Sequence, residues 1–376
     1  MTAPPCPAVP DHTAGLVTDA DAFAALAPAW GRLYERCATA TPFQHHAWLH
    51  SWWRSYGGPG RLRVLVVRSG DELVGAAPLM LVRRPLPALV PLGGAISDYG
   101  DVLLDDADDG RAANALADAL WDAARTALVD FREVRPGGAV ERVYDRWRGP
   151  RRTVRDSLCL ELPAVPLPEL AARLPAKRAQ RVRAQLRRHT SLGVVRHVAG
   201  PDEAAPALHR MLELHRLQWR ERKVTAEHTL PRFREHLVRA VPDLVRSGNA
   251  VVTEFRIGAD VVAVDLTLRS RSLTGGYLYG AHPRLRESRA DVAVLLLDAC
   301  SEQATRAGGA DGGGTLSLLR GSEPYKMHWR PEPVANQRLL MARRRTAPLL
   351  SAALCAGAAR LWGGEVLRRW REQPSG

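Results

Sequence analysis

Cysteine is scarce in this sequence, and the five cysteines are scattered. Cys6, Cys37, Cys159, Cys300 and Cys355 are odd in number, and no two of them form a CxxC pair. We therefore expect neither a disulfide framework nor a zinc site, and no metal is assigned to the protein.

Long apolar runs are also missing. No stretch approaches the roughly 18 consecutive apolar residues that a membrane-spanning helix needs. The first 20 residues contain no basic patch followed by an apolar segment, so no signal peptide is visible. We expect a cytoplasmic protein.

Lysine is nearly absent, although the chain is strongly basic. Lys177, Lys223 and Lys326 are the only lysines in 376 residues with a formal net charge of +13. Aromatic residues are seldom interleaved with the basic ones, which argues against a general nucleic-acid-binding surface. Bias in the composition of the source genome is the simpler explanation of the arginine excess.

The chain length suits two domains, and a weak internal repeat supports two. The pattern predicts a hairpin from Leu62–Arg68 and Glu72–Met80, and another from Ala250–Ile257 and Val261–Arg269. Each hairpin is followed by a strand, a helix and a strand, and the repeats lie about 190 residues apart. A spacing of this size indicates domain duplication in a mixed α/β protein.

These patterns predict four regions. Residues 1–18 are expected to be disordered, 19–165 to form an N-terminal domain, 166–342 a C-terminal domain, and 343–376 a basic and apolar tail. The tail is predicted either to lie on a membrane surface or to pack on its own domain. Within the N-terminal domain, Tyr144–Asp156 is strongly basic and is predicted to be turn-like.

The stretch that most resembles an active-site region lies late in the chain. An almost wholly apolar helix, Val292–Ala304, precedes a short apolar strand, Thr315–Leu319, which runs into a polar loop. Strand ends that break into glycine-containing polar loops are where α/β folds place their chemistry.

This loop carries a family resemblance. Arg-Gly-x-Glu-x-Tyr-Lys-x-x-Trp, at residues 320–329, resembles the CelD-like branch of the GNAT superfamily, as do Thr41-Pro-Phe-Gln44, Trp48 and Gly75-Ala-Ala-Pro-Leu79. The resemblance covers about residues 40 to 335. It implies two tandem GNAT folds, related to the Fem-type aminoacyl transferases of cell-wall synthesis.

The resemblance also implies acyl transfer from a thioester, with acyl-CoA as donor co-substrate. A helix N-terminus offers unpaired N–H groups and a positive dipole end that suit a pyrophosphate. The predicted donor site is therefore the turn that opens the apolar helix. It consists of Ser288, Arg289, Ala290, Asp291 and Val292.

The polar loop supplies candidate catalytic groups. Tyr325 could protonate the departing thiolate, and Lys326 could stabilise a carbonyl oxyanion. Glu323 could orient Lys326 or accept a proton, and Arg320 could hold an anionic part of the substrate. The alternative is a polar turn with a structural ion pair.

Further candidates lie on predicted strands and in an earlier loop. In GNAT enzymes, carboxylates on the central strands often deprotonate the amine, which makes Asp265 and Glu254 candidate bases. A solvent-facing role is the alternative for both. In the first half, Asp98 and Tyr99 suit an amine or a sugar and are predicted to bind substrate.

One predicted helix is unusually basic. It carries six basic residues between Lys177 and Arg188 around much of its circumference. A solvated face is the default interpretation. An anionic partner, such as a lipid head group, a nucleotide-linked sugar or a tRNA, is the alternative.

Together these features predict a bacterial N-acyltransferase that moves an acyl group from acyl-CoA to an amine on a small molecule, a sugar or an envelope precursor. Two alternatives stay open. One is a Fem-type transferase that uses aminoacyl-tRNA on a cell-wall precursor. The other is a non-catalytic scaffold in polysaccharide synthesis. Membrane-surface contact is expected only through the tail.

Overall fold

The computed structural model describes residues 11–218, 226–307 and 314–357. Its centre is one mixed sheet of 13 strands. In chain order the strands are β1 (His12–Val17), β2 (Leu62–Ser69), β3 (Glu72–Val82), β4 (Ala88–Pro91), β5 (Leu103–Leu104), β6 (Leu128–Val134), β7 (Arg151–Pro163), β8 (Val194–Val198), β9 (Ala250–Ile257), β10 (Asp260–Arg269), β11 (Leu273–Ala281), β12 (Thr315–Arg320) and β13 (Glu332–Met341).

Helices cover both faces of this sheet. They are α1 (Ala20–Ala25), α2 (Ala27–Arg36), α3 (His46–Tyr56), α4 (Arg111–Ala123), α5 (Ala139–Asp145), α6 (Leu167–Ala172), α7 (Ala176–Ser191), α8 (Pro201–Gln218), α9 (Pro231–Arg246), α10 (Arg284–Glu287), α11 (Val292–Ala307) and α12 (Pro324–Met327). Local chemistry sets several boundaries. Pro231 opens α9 at a position where no helical N–H is needed, and Gly258 turns the β9–β10 hairpin with a φ of 59°.

The order of the strands shows the predicted duplication. The sheet runs β1-β2-β3-β4-β6-β13-β7-β12-β11-β10-β9-β8. From either edge inward, antiparallel strands lead to one parallel pair, which is β4 with β6 in the first half and β11 with β12 in the second. The two halves are thus copies of one arrangement, as the repeated hairpins predict.

The last strand of each half lies against the other half. β7 follows β6 in the chain but pairs with β12, and β13 follows β12 but pairs with β6. β7 and β13 also pair with each other along most of their length. The centre of the sheet is therefore built from strands that the halves exchange.

A helix pair also joins the halves. α3 of the first half packs against α9 of the second. The Ser51 hydroxyl donates to the backbone oxygen of His236 at 2.9 Å, and the ring of His236 lies edge-on to Trp48. All three side chains are buried.

The disorder expected for residues 1–18 is wrong for the part that the structure describes. His12–Val17 forms β1, which pairs with β2 along its full length. The His12 ring lies 2.6 Å from the Asp108 carboxylate, which anchors the start of the strand. Residues 1–10 lie outside the described chain.

The turn-like character expected for Tyr144–Asp156 holds for residues 146–150 but is wrong for the remainder. Its second part belongs to β7, where arginine side chains face solvent while the backbone pairs with β13. The pattern gave no indication of β13 itself, which opens with Glu332 and Pro333. Charge on exposed strand positions hides a strand whose partners lie far away in sequence.

Part of the C-terminal tail packs on its own protein. A helix begins at residue 347, and its Leu350 and Ala353 are buried against Ala88, Leu128 and Leu340. The remainder of the tail, from residue 358, lies outside the described residues, so its predicted membrane contact stays a prediction. Within residues 11–218, 226–307 and 314–357, every helix is too short or too polar to cross a bilayer.

Candidate active site

The parallel strands β11 and β12 stay together only briefly. Leu273–Gly275 pairs with Thr315–Ser317, and beyond this point the two strands diverge while β12 continues beside β7. A β-bulge sits at the same place, because the register between β10 and β11 skips Tyr277. A bulge leaves its extra residue outside the hydrogen-bonded ladder.

A cavity of about 100 Å³ lies where the strands diverge, between the sheet and α11. Apolar side chains of α11 form one wall, and strand residues form the other. The lining residues are Asp265, Gly276, Tyr279, Ala293, Leu296, Leu297, Cys300, Ser317, Leu318, Tyr325, Lys326 and Trp329. Three residues from the sequence prediction, Asp265, Tyr325 and Lys326, are therefore brought together.

Asp265 is the acidic residue of this cavity. Its side chain is only 3% exposed, and the Thr267 hydroxyl donates to its Oδ2 at 2.7 Å. Burial raises the pKa of Asp265 from 3.8 to about 7, and the hydrogen bond from Thr267 offsets only part of this effect. A carboxyl group with this pKa can accept a proton near neutral pH.

Glu254 does not share the cavity, and its pairing with Asp265 as a second base is corrected. Glu254 lies opposite Val264 in the ladder, so it faces the other side of the sheet from Asp265. There it is fully buried between Arg210 and Arg256, at 2.5 and 2.6 Å. Burial alone would raise the pKa of Glu254, but the hydrogen bonds from Arg256 and Arg210 lower it, which suits a structural ion pair.

The Lys326 ammonium is already engaged. It donates to the backbone oxygen of Arg320 at 2.7 Å and lies 2.9 Å from a carboxylate oxygen of Glu323. Although Lys326 lines the cavity, these contacts fasten α12 to the end of β12. The orienting role predicted for Glu323 matches this geometry, whereas the oxyanion role of Lys326 stays a prediction.

Tyr325 stands at the mouth of the cavity. Its side chain is half-exposed and lines both the cavity and a neighbouring groove. Burial of the hydroxyl and the nearby Glu323 carboxylate raise the pKa of Tyr325 above its ordinary value. The phenol therefore keeps its proton at neutral pH.

The neighbouring groove has a volume of about 470 Å³ and lies between α7 and the start of α11. Arg178 and Arg181 of the basic helix line it, together with Asp291, His328 and Trp329. Across α7, no basic side chain from Lys177 to Arg188 forms an ion pair within the described part of the chain. The groove is therefore suited to an anionic ligand.

The opening of α11 differs from the predicted donor site. The Asp291 carboxylate accepts hydrogen bonds from the N–H groups of Ala293 and Val294 at 2.9 and 3.4 Å. Ala290 is buried, Arg289 has a φ of 58°, and the Ser288 oxygen accepts from Arg188. Because the Asp291 carboxylate already binds two of the amides at this helix end, the end is less suited to a pyrophosphate than the sequence predicts.

The second half now has the features of a known domain. Residues 176–327 match the acetyltransferase (GNAT) domain. The matched range runs from α7 to α12 and contains all the residues that line the cavity except Trp329, and most of those that line the groove. No curated protein matches the chain closely enough to count as a relative.

Solved structures share the fold over nearly the whole chain. FemX has a TM-score of 0.59 at 12% identity, covering 90% of this chain and 99% of its own. The C-terminal domain of a putative lysylphosphatidylglycerol synthetase from Agrobacterium fabrum has a TM-score of 0.54 at 12% identity, covering 88% and 96%. L-PGS from Bacillus licheniformis has a TM-score of 0.52 at 12% identity, covering 89% and 96%. At this identity the likeness shows the fold alone.

The predicted substrate residues of the first half lie where the two halves of the sheet meet. The Arg320 guanidinium contacts a carboxylate oxygen of Asp98 at 2.5 Å and one of Glu133 at 3.2 Å. The Tyr99 hydroxyl lies 2.9 Å from that of Ser317, which lines the cavity. Asp98 and Tyr99 are buried, so these contacts join the halves, and their substrate role stays a prediction.

The cavity residues that escaped the sequence analysis include Gly276, Tyr279, Cys300 and Ser317. The paired glycines Gly275-Gly276 within an apolar strand were the available signal, because glycine inside a strand often marks a bulge. Burial raises the pKa of Cys300 above its ordinary value, so its thiol stays neutral. Within the described residues, no cluster of His, Cys, Asp and Glu could hold a metal ion.

Proposed function

We propose that this protein is an acyltransferase that moves an acyl group from acyl-CoA to a primary amine. The observation that carries the proposal is the placement of Asp265. Its carboxyl group lies in a cavity at the divergence of β11 and β12, within the range that matches the GNAT domain. The same cavity is bordered by Tyr325, a protonated phenol.

These groups suit direct transfer. The amine nitrogen attacks the thioester carbonyl, and Asp265 accepts the proton that the nitrogen loses. The C–N bond forms, the C–S bond breaks, and Tyr325 supplies a proton to the departing thiolate. Because Lys326 is held by Arg320 and Glu323, the backbone N–H at the Tyr277 bulge is the better candidate to stabilise the carbonyl oxygen.

The donor's phosphates would bind in the groove. Arg178 and Arg181 border it and lack carboxylate partners in the described chain, whereas Asp291 already binds two of the α11 amides. The groove and the cavity share Ala293, Tyr325 and Trp329. A thioester could therefore reach the cavity mouth while its phosphates lie against α7.

We propose an acceptor amine on a small molecule, a sugar or an envelope precursor. The CelD-like motif at residues 320–329 supports this range. The fold likeness to a lysylphosphatidylglycerol synthetase domain favours the envelope.

A Fem-type aminoacyl-tRNA donor is the second candidate, and one observation favours it. The Asp291 cap engages two of the amides that would hold a CoA pyrophosphate, while α7 presents arginines without carboxylate partners in the described chain to a larger polyanion. The fold likeness to FemX supports the same candidate donor.

A donor screen tests the proposal. Purified protein is incubated with a panel of primary amines and either acetyl-CoA or charged tRNA, and products are identified by mass. We expect an acetyl mass shift only with acetyl-CoA. Aminoacyl products alone would replace the first candidate by the second, and no transfer from either donor would refute both.

A further inference from the structure

One oxygen of the Asp265 carboxylate has no hydrogen-bond partner among the residues that the structure describes. Thr267 donates to Oδ2, but no donor or cation within the described chain contacts Oδ1. The side chain is 3% exposed, so bulk solvent contributes little to stabilising a charge on this carboxylate. A buried carboxylate without a cation is costly, which makes this oxygen a strong recognition point for a positively charged ligand group.

The shape of the cavity limits what can reach that oxygen. Along α11 the lining runs from Ala293 to Cys300, seven residues apart, which corresponds to about 10 Å. Its volume is only about 100 Å³, so a space of this length is narrow. Leu296 and Leu297 make the wall between the two ends apolar. The space fits an unbranched chain better than a ring.

Gly276 leaves the space beside the carboxylate open. A Cβ atom at this position would lie 3.8 Å from Oδ1 of Asp265 and 3.9 Å from the sulfur of Cys300, both ordinary contact distances. The neutral Cys300 thiol adds no charge. Any larger side chain at position 276 would occupy the place next to the free oxygen.

We infer that this cavity binds an unbranched chain ending in a primary ammonium group, with the nitrogen at Oδ1 of Asp265. The chain could belong to the acceptor or to an amino-bearing transferred group. The choice between acceptor and transferred group rests on the proposed function. The binding of the ammonium group to Asp265 does not.

Binding is tested on the whole protein without any donor, with n-hexylamine and 1-hexanol as matched probes at pH 8. A charged hydrogen bond contributes about 1.5–3 kcal/mol, so the amine should bind at least about 10-fold more tightly than the alcohol. Equal affinity, or no binding of either probe, would overturn the inference.

Variants locate the site. Asp265→Asn should reduce the amine preference to near unity while keeping the alcohol affinity, and Gly276→Ala should weaken both probes. Gly31→Ala is the matched control, because a Cβ there meets nothing within 4 Å. An amine preference that survives in both Asp265→Asn and Gly276→Ala would place binding elsewhere and contradict the inference.

Adding acetyl-CoA to wild-type protein and n-hexylamine shows whether the bound alkyl chain belongs to the acceptor or to the transferred group. Formation of N-acetylhexylamine assigns it to the acceptor. Amine binding without acetylation, together with competition against aminoacyl-tRNA-dependent transfer, assigns it to the transferred group. Loss of all transfer with binding intact would refute the proposed function and leave the binding site standing.

Discussion

Asp265 shows how one residue can work against the stability of its own fold. The carboxyl group is buried beside Thr267, and its pKa is raised from 3.8 to about 7. The native state therefore holds a proton that the unfolded chain releases between these values. Stability from this group is present at low pH and is lost as the pH rises through about 7.

Asp265→Asn should therefore stabilise the protein, and more so in alkaline solution. The wild type should lose up to about 4 kcal/mol of unfolding free energy from this residue between pH 4 and 8, whereas the neutral amide should lose none. Urea unfolding of both proteins at pH 5 and 8 measures the difference. An equal effect of the substitution at both pH values would show that Asp265 is ionised throughout.

The residue types in the polar loop and the contact between Glu323 and Lys326 were predictable, but the contact of Lys326 with the Arg320 backbone was not. The sequence indicated Tyr325 and Lys326 as a reactive pair. In the structure the Lys326 ammonium is held by the Arg320 backbone and Glu323. Of Tyr325 and Lys326, only Tyr325 lines both the cavity and the groove. Such contacts depend on how β12 ends, which residue identity alone does not determine.

At the scale of elements, α11 links the cavity and the groove. Ala293 lies near its start and Cys300 in its middle, and both line the cavity. Asp291 satisfies two of the four N–H groups that a helix start leaves free. The helix is thereby stabilised at the expense of an amide site for phosphate.

Asp291→Ala should separate these two effects. Loss of the cap should lower the unfolding free energy by about 1 kcal/mol. Donor affinity should not fall and should rise for acetyl-CoA, because a negative charge leaves the groove and two amides become free. Thermal unfolding and calorimetric titration with acetyl-CoA measure the two quantities. Weaker acetyl-CoA binding would mean that the carboxylate takes part in donor recognition.

An ion pair joins the exchanged strand β13 to its neighbour β6. Arg338 of β13 makes two hydrogen bonds of 2.7 Å to Asp130 of β6, and both side chains are largely buried. By contrast, Arg148 and Asp118 form a pair that is mostly in solvent.

Arg338→Ala should destabilise the protein by about 3 kcal/mol or more, since it leaves Asp130 buried without a cation. Arg148→Ala should cost less than about 1 kcal/mol. Chemical unfolding of the two variants gives the comparison. Equal losses would mean that the β6–β13 contact adds little to stability.

At the scale of the whole molecule, the exchange of β7 and β13 makes each half depend on the other. The hairpins and the apolar helix were predictable, because each has a local hydrophobic pattern. β1 and β13 were not, since their pairing to β2 and β6 depends on residues about 50 and 200 positions away. The same long-range pairing brings the two halves together where Arg320 contacts Asp98 and Glu133.

The intact chain should therefore unfold in one transition. A fragment comprising residues 1–165 would lack β13, which lies between β6 and β7 in the sheet, and should not fold by itself. Circular dichroism and calorimetry of the fragment and the full chain test this. A fragment with a cooperative transition would show that the first half is an independent domain.

In the proposed mechanism, Asp265 receives the proton of an amine at the divergence of β11 and β12. The most direct measurement is kcat/KM against pH for transfer from acetyl-CoA to a primary amine, in wild type and Asp265→Asn. We predict an inflection near pH 7 in the wild type, where ionisation of Asp265 raises the rate, and in the variant its absence with a loss of about 100-fold or more. A variant with the wild-type rate and the same inflection would contradict the account.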